Sequence, residues 1–160
     1  MGPRPPIRFA IVASRFNPEI TQGLLEGART YLAGQGAAVC DEDVIAASGA
    51  FELPLIAQSL ARTGRYDGVI CLGAVIKGET AHFEFISLAT SVGLMNVSLA
   101  TDTPMAFGVL TTYSDEQAAA RSRGADNKGV EAARACLEQA RVLRAIRARA
   151  DVDRPERSGV

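Results

Sequence analysis

Apolar and polar residues follow one another along this chain in blocks whose lengths and periods are typical of strands and helices. Three continuous apolar runs occupy residues 7–13, 69–76 and 105–111, which is the pattern of parallel strands covered on both faces. A weaker apolar stretch near residues 38–47 predicts a fourth strand. The segments between the runs have helical spacing, so the chain is predicted to alternate between strand and helix.

Residues that start and stop helices lie at the ends of the helically spaced segments. Asn17 is predicted to cap the first helix, with Pro18 at its first position and Glu19 in its positively polarised first turn. Ser114 and Gln117 have capping-box spacing, which predicts another helix start. The apolar faces of three predicted helices consist of Ile20, Leu24, Ala28 and Leu32; of Leu53, Ile56, Ala57, Leu60 and Ala61; and of Val130, Ala133, Leu137, Ala140 and Leu143.

This succession of elements predicts an α/β fold, a three-layer αβα sandwich around a four-stranded parallel sheet. The chain has 160 residues and 48% hydrophobic content, which suits one domain with a continuous core over residues 1–150. Residues 123–129 are expected to separate the last long helix from the one before it. Residues 151–160 are charged and contain Pro and Gly, so we expect a disordered tail there.

Composition excludes some classes of partner. The formal net charge is −1 and the isoelectric point is near 5.9, whereas a nucleic-acid-binding protein needs a basic face. Cys40, Cys71 and Cys136 are far apart and lack metal-ligand spacing, so we expect small buried thiols in a reducing compartment. We see no secretory pattern and expect no apolar run of membrane-spanning length, which favours a cytoplasmic protein without membrane contact.

The chain's single histidine, His82, lies in the segment GAVIKGETAHF at residues 73–83. Residues 78–81 are predicted to form a helix N-terminus directly after a strand, where free backbone N–H groups attract anions. The two glycines have the spacing of a P-loop, but Glu79 replaces the lysine that a nucleoside triphosphate requires. The predicted ligand of this turn is therefore a single phosphate group.

Other candidate residues follow the strands at the same edge of the predicted sheet. Ligands of such sheets bind beyond the carboxyl ends of the strands. Phe16 follows the first strand, residues 50–52 the second, residues 78–82 the third and residues 111–112 the fourth. Each residue alone has a structural explanation, as a core aromatic or a carboxylate at a helix start. Their convergence on one edge favours a binding site in which His82 transfers protons.

Four segments of the chain together resemble one enzyme family. They are RFNPEIT at residues 15–21, SGAFELP at 48–54, GAVIKGETAHF at 73–83, and FGVLTT at 107–112 followed by EQAAAR at 116–121 and NKG at 127–129. From about residue 9 to about residue 140, the order and spacing are similar to those of the 6,7-dimethyl-8-ribityllumazine synthases. The resemblance implies a flavodoxin-like fold and a transferase of riboflavin biosynthesis. That enzyme condenses 5-amino-6-(D-ribitylamino)uracil with 3,4-dihydroxy-2-butanone 4-phosphate, releasing phosphate and water, in the penultimate step.

The resemblance also implies roles for individual residues. His82 matches the residue that handles protons, and Phe16 matches the aromatic ring that stacks on the pyrimidine. Glu79 and Thr80 match residues that hold the phosphate, and Arg121 matches the arginine that completes the phosphate site. The remaining matches, to contacts with the pyrimidine and its ribityl chain, are Ala50, Phe51, Glu52, Ala74, Val75, Ile76, Phe107 and Lys128.

The implied enzyme is an oligomer whose sites lie between subunits. In the family, the residues that match Phe107, Arg121 and Lys128 come from the adjacent subunit, so a monomer would not hold a complete site. The segment between Arg121 and Asn127 lies where pentameric and sixty-subunit members of the family differ, and we expect a homopentamer. Assembly into a sixty-subunit shell and association with riboflavin synthase are left open. Pairing of the proline-rich N-terminus with a neighbour's sheet is also left open, because proline has no backbone N–H to donate to a strand ladder. The condensation involves no redox change, so no cofactor and no metal are expected.

Two other functions remain open at this stage. An archaeal-type riboflavin synthase of the same superfamily would consume two copies of the lumazine, although the segment that contains His82 argues against it. A flavin- or lumazine-binding protein, or a shell-forming container, would keep the fold without turnover. Identifying the substrate that is consumed would distinguish a riboflavin synthase from a lumazine synthase. Testing whether bound ligand is turned over would distinguish a binding protein or container from an enzyme.

Overall fold

The structure is a computed structural model that describes residues 5–152. Its strands are β1 (Phe9–Ser14), β2 (Val44–Ala47), β3 (Gly68–Ile76) and β4 (Met105–Thr112). Its α-helices are α1 (Pro18–Gly34), α2 (Leu53–Arg62), α3 (His82–Thr101), α4 (Asp115–Ala120) and α5 (Lys128–Val152). Single 3₁₀ turns cover Asp41–Asp43, Ala50–Glu52 and Gly124–Asp126.

The four strands form one parallel sheet in the order β2-β1-β3-β4. Ile11 of β1 pairs with Val44 on one side and with Ile70 on the other, and Ile70 pairs with Ala106 of β4. This is the flavodoxin-like strand order, in which the direction of winding changes at β1 and β3. The predicted α/β sandwich with a four-stranded parallel sheet is therefore confirmed, and β4 lies at an edge of the sheet.

Two apolar layers pack against the sheet because successive strand residues point to opposite faces. Ile11 belongs to a buried cluster with Leu24 of α1 and Leu137 of α5. Its neighbour Val12 belongs to the opposite cluster, which includes Leu94 of α3. Each fully buried aliphatic side chain of this kind stabilises the fold by about 1.5–3 kcal/mol relative to exposure. Thus α1 and α5 cover one face of the sheet, and α2 and α3 cover the other.

The second strand is shorter than predicted, and one cysteine lies on the surface. Strand β2 begins only at Val44, because the acidic residues before it form a 3₁₀ turn in which Asp43 is buried. Asp43 accepts a hydrogen bond of 2.6 Å from the Tyr66 hydroxyl, and this bond together with burial raises the pKa of Tyr66. Cys40 therefore lies in the preceding loop and is exposed, so its predicted burial was wrong, whereas Cys71 and Cys136 are buried.

The start of α1 differs from the predicted cap in one respect. Pro18 is the first helical residue and Glu19 lies in the first turn, as predicted. Asn17 occupies the N-cap position, but its backbone is left-handed (φ 53°) and its side chain makes no capping bond. The side-chain amide instead donates to the carbonyl oxygen of Ala74, at 3.0 Å. Asn17 therefore joins the β1–α1 loop to β3, at the sheet edge where ligands were predicted.

The start of α4 has the predicted capping pattern. The backbone N–H of Gln117 donates to the Ser114 hydroxyl at 3.2 Å, which satisfies one of the free donors of the first turn. The Gln117 side chain accepts from the backbone N–H of Tyr113, at 2.9 Å, one residue before the N-cap. The predicted break follows at the end of α4, before α5 begins at Lys128.

The two ends of the described chain run close together. Helix α5 continues to Val152, so it includes the first two residues of the predicted tail, and residues 153–160 lie outside the described residues. Near the N-terminus, the Arg144 guanidinium donates to the carbonyl oxygens of Pro5 and Pro6, at 2.7 and 3.1 Å. The same guanidinium pairs with Asp67 through two bonds of 2.7 Å. Helix α5 thereby holds the segment that leads into β1.

Helix α3 carries a long apolar stripe on its exposed side. Its side chains lie three and four residues apart and are 49–72% exposed: Phe85, Leu88, Val92, Met95 and Leu99. By length and composition α3 could cross a membrane, and only 17% of its most apolar 18 residues are buried. The expectation that no apolar run reaches membrane-spanning length was therefore wrong. Apolar surface of this extent on a folded chain marks an interaction face.

Candidate active site

The turn between β3 and α3 leaves backbone donors free at the sheet edge. Lys77 still belongs to the sheet ladder, since its N–H donates to Thr112 at 2.9 Å. Residues 78–81 are exposed, and α3 begins at His82 without a side-chain cap. The first helical hydrogen bond runs from the N–H of Phe85 to the carbonyl of Ala81, at 3.3 Å. The backbone N–H of His82 donates to the Thr80 hydroxyl at 3.5 Å, whereas those of Phe83 and Glu84 have no partner within the helix, which favours an anion at this position.

A cavity of about 580 Å³ opens beside this turn, and we call it the β3 cavity. Its size is that of a small-molecule site. Nine predicted site residues line it: Phe16, Ala50, Phe51, Glu52, Ala74, Val75, Ile76, Thr80 and His82. They come from three segments that are far apart in the sequence, namely the loop after β1, the turn after β2, and the end of β3 with the start of α3, and they meet at the carboxyl edge of the sheet. The structure therefore brings seven of the nine residues that were predicted to contact the pyrimidine or its ribityl chain together with the histidine.

The β3 cavity combines open aromatic rings with fixed polar groups. Phe16 and Phe51 are both exposed, so their rings are free to contact a ligand. The carbonyl of Ala50 accepts from the Thr90 hydroxyl at 3.2 Å, and the carbonyl of Ala74 accepts from Asn17. These bonds hold the backbone beside the rings in one position. A planar heterocycle with polar edges is the kind of ligand that suits such a surface.

Several residues that line the β3 cavity were not predicted as site residues. They are Asn17, Gly49, Phe83, Ile86 and Asp115, whereas Gly78, which also lines the cavity, belongs to the turn that was predicted to bind phosphate. Asn17 was assigned to capping only, and its contact with β3 joins residues 57 positions apart. Asp115 belongs to the first turn of α4 and reaches the cavity through the packing of α4 beside β3. Neither contact leaves a local pattern in the sequence.

Three other predicted residues line a second cavity, the β4 cavity, of about 490 Å³. Phe107 is 44% exposed on the edge strand β4, Arg121 follows α4, and Lys128 begins α5. Arg121 donates to the carbonyl of Gln117 at 3.0 Å, and Lys128 pairs with Glu131 at 2.6 Å. Both cations are thus placed at a cavity that is bordered by an open sheet edge.

Within the described residues, the two cavities share no lining residue. The β3 cavity holds the aromatic rings, the histidine and the start of α3, whereas the β4 cavity holds the two cations. Glu79 lines neither cavity and is exposed. The predicted site is therefore divided into two groups of residues on one chain.

Charged and aromatic side chains support the turn beside His82. Lys77 lies 3.4 Å from a carboxylate oxygen of Glu84 and 5.6 Å from the ring centre of Tyr113. The Tyr113 ring in turn lies 6.0 Å from the ring of Phe83. These contacts connect β3, α3 and the end of β4. Across residues 5–152, no group of three or more His, Cys, Asp or Glu side chains has the geometry of a metal site.

Sequence comparisons agree on one family. A sequence model of 6,7-dimethyl-8-ribityllumazine synthase matches residues 6–144. A protein named 6,7-dimethyl-8-ribityllumazine synthase 1 from Caulobacter vibrioides is 68% identical over 146 residues, which cover 91% of this chain and 95% of that protein. Synthases of the same name from Edwardsiella ictaluri and Nitratidesulfovibrio vulgaris are 52% and 49% identical, over 90% and 86% of this chain and 94% and 88% of their own lengths. By its sequence and its fold, the chain belongs to the 6,7-dimethyl-8-ribityllumazine synthase family.

Proposed function

We propose that this chain makes 6,7-dimethyl-8-ribityllumazine from 5-amino-6-(D-ribitylamino)uracil and 3,4-dihydroxy-2-butanone 4-phosphate. The observation that carries this proposal is the β3 cavity, in which nine residues that match the family's site come together. The amino group attacks the ketone and forms an imine with loss of water. Phosphate is then eliminated, and the ribitylamino nitrogen closes the second ring with loss of a second water.

The pyrimidine binds in the β3 cavity. Phe16 stacks on the ring, because its exposed face offers apolar contact at little cost in flexibility. Backbone groups around Ala50 and Ala74 recognise the polar ring edge, and Glu52 binds the ribityl hydroxyls. The remaining contacts come from Phe51, Val75 and Ile76. This arrangement holds the reacting amino group near His82.

His82 moves the protons that the condensation requires. Formation of the imine and elimination of phosphate each need a proton transferred, and imidazole gives and accepts protons near neutral pH. His82 lines the same cavity as the aromatic residues and begins α3, close to the free N–H groups. Much of the remaining acceleration comes from holding two reactive substrates together, which is worth several kcal/mol.

The phosphate group binds between the start of α3 of one subunit and Arg121 of the adjacent subunit. Thr80 and the backbone N–H of Glu79, an exposed residue, bind the phosphate at the positive end of the α3 dipole. A guanidinium adds two parallel charge-assisted hydrogen bonds and stabilises the charge that the leaving phosphate retains.

Phe107, Arg121 and Lys128 complete the site of the adjacent subunit. Two observations support this: these residues line the β4 cavity rather than the β3 cavity, and β4 is an edge strand. The exposed stripe of α3 supplies apolar surface for subunit contacts, as expected of a homopentamer. The free thiols of Cys40, Cys71 and Cys136 suit a reducing, cytoplasmic location.

An assay with both substrates tests the proposed reaction. Purified protein is mixed with the pyrimidine and the butanone phosphate, and lumazine fluorescence and phosphate release are followed against a control without protein. We expect product only when both substrates are present, at a rate above that of the control. Consumption of lumazine alone would instead indicate a riboflavin synthase. Bound pyrimidine without turnover by a folded oligomer would indicate a binding protein or container.

A further inference from the structure

The loop from Arg121 to Lys128 connects the two cations of the β4 cavity. Its ends are joined directly, because the backbone N–H of Lys128 donates to the carbonyl of Arg121 at 2.8 Å. Both side chains line the cavity, whereas the residues between them form a 3₁₀ turn at Gly124–Asp126. The distance between the two cations therefore depends on how this loop is held.

One buried side chain holds the loop. Asn127 is only 7% exposed, and its amide nitrogen donates to the carbonyls of Gly23 and Ser122, at 2.9 and 3.0 Å. Its amide oxygen accepts from the backbone N–H of Gly129, at 2.8 Å. Both amide hydrogens and the oxygen are thus used, and they join three segments: α1, the end of α4 and the first turn of α5.

Helix α1 packs closely against the side-chain amide of Asn127. A Cβ on Gly27 would lie 2.5–2.7 Å from the three amide atoms of Asn127, and a Cβ on Gly23 would collide with the carbonyl oxygen of Ser122. A Cβ on Gly129 would collide with the backbone of Leu24. Three glycines therefore allow α1 to approach the loop closely, with Asn127 between the helix and the loop.

We propose that Asn127 is a positioning residue for the phosphate-bearing substrate. This inference rests on the proposed phosphate role of Arg121. Asn127 precedes Lys128 directly and bonds to Ser122, the residue after Arg121, so its three bonds fix the backbone from which both cations extend. Aspartate would place a carboxylate against two carbonyl oxygens, and alanine would leave those carbonyls and the Gly129 N–H unpaired. Asparagine has the donor and acceptor set that the loop requires.

The test compares Michaelis constants for the two substrates in the oligomeric enzyme. In N127A we expect the KM for the butanone phosphate and the dissociation constant for inorganic phosphate to rise about tenfold, because small misplacements of binding groups are costly. The KM for the pyrimidine should rise by no more than about twofold, because Asn127 does not line the β3 cavity and acts on the pyrimidine only through the single contact of Lys128. If N127A does not assemble, N127S is measured, whose hydroxyl replaces part of the bonding, and a shift in the same direction is expected.

A matched control separates positioning from simple loss of stability. Leu32 is fully buried in the α1–α5 layer and lines neither cavity, so L32A should lower the Tm without changing either KM. Equal effects of the Asn127 variant on both KM values, or no effect on either, would overturn the inference.

The Arg121 variant distinguishes failure of the inference from failure of the proposed function. If R121A weakens phosphate binding and N127A does not, the inference alone is wrong. If R121A binds phosphate as the parent does, the phosphate role of Arg121 is wrong and the inference is wrong with it. If both variants weaken phosphate binding, the double variant should lose little more than R121A, because Asn127 acts through Arg121 and Lys128.

Discussion

A single imidazole, that of His82, lines the β3 cavity at the start of α3. The cavity also contains the carboxyl groups of Glu52 and Asp115. Near neutral pH a carboxyl group is usually deprotonated and has no proton to donate, whereas an imidazole can both accept and donate one. The histidine is therefore suited to serve both the imine and the elimination steps. The free N–H groups beside it are suited to the departing phosphate.

Replacing His82 should slow turnover without abolishing it. We expect H82A to lower kcat by about 10²–10⁴-fold, the usual range for a general acid–base, because substrate positioning is retained. Steady-state kinetics with both substrates measures this, and the KM for the pyrimidine should change little. H82Q serves as a control for side-chain size, and it should be as slow as H82A. A parental kcat in both variants would remove His82 from the chemistry.

The cysteines should differ sharply in reactivity. Burial raises the pKa of Cys71 to about 12 and also raises the pKa of Cys136, so neither thiol ionises near neutral pH, whereas Cys40 is exposed. We expect one thiol per chain to react with a disulfide reagent at pH 8 in the native protein, and three in denaturant. C40S should remove the rapid native reaction. A rapid reaction that persists in C40S would contradict the burial of the other two.

At the scale of elements, one arginine of α5 holds both the loop before β3 and the N-terminal segment of the described chain. Arg144 of α5 forms two bonds with Asp67 in the loop before β3 and two more with the carbonyls of Pro5 and Pro6. Both charged side chains are only about one-fifth exposed, at 21% and 20%. Paired groups of this kind become costly when one partner is removed, since the other loses its compensation.

We therefore expect R144A to lower the free energy of unfolding by about 1.5–3 kcal/mol, the usual value for charge-assisted hydrogen bonds. Denaturant unfolding measures the change. R141A is the matched control, because Arg141 is exposed on the same helix. Equal stability of R144A and R141A would show that the ion pair contributes nothing.

Elements whose signals are local were predictable from the sequence, and contacts between distant residues were not. The apolar runs of β1, β3 and β4 and the Ser114 cap follow from neighbouring residues, so they appear where predicted. Strand β2 begins late because the buried Asp43 binds Tyr66, 23 positions away. Asn127 reaches Gly23, 104 positions away, and nothing in the sequence near either residue indicates this contact.

At the scale of the whole molecule, the described chain leaves its longest apolar stripe uncovered. The exposed side chains of α3 repeat at alternating spacings of three and four residues, which is the period of a helix-to-helix seam. The opposite side of α3 packs on the sheet through Thr90, Leu94 and Val97. This exposed stripe supports the proposed contact between copies of the chain in a homopentamer.

A charge placed in the α3 stripe should therefore break the oligomer. We expect M95E to elute as a smaller species, because an unpaired carboxylate in an apolar interface is strongly unfavourable. Light scattering after size exclusion measures the mass, and T30E is the control, since Thr30 is exposed on α1, outside the stripe. An unchanged mass for M95E would place the subunit contact elsewhere.

We propose that each site is completed by a neighbouring subunit, with His82 from one chain and Arg121 from the next. Subunits carrying H82A and subunits carrying R121A are refolded together in equal amounts, and lumazine formation is compared with that of each variant alone. In a ring of heterologous contacts, about one-quarter of the sites then carry both native residues. We expect the mixed protein to have about one-quarter of the parent's activity, well above the mean activity of the two variants. Activity no higher than that mean would contradict it, because it would place both residues in a site within one subunit.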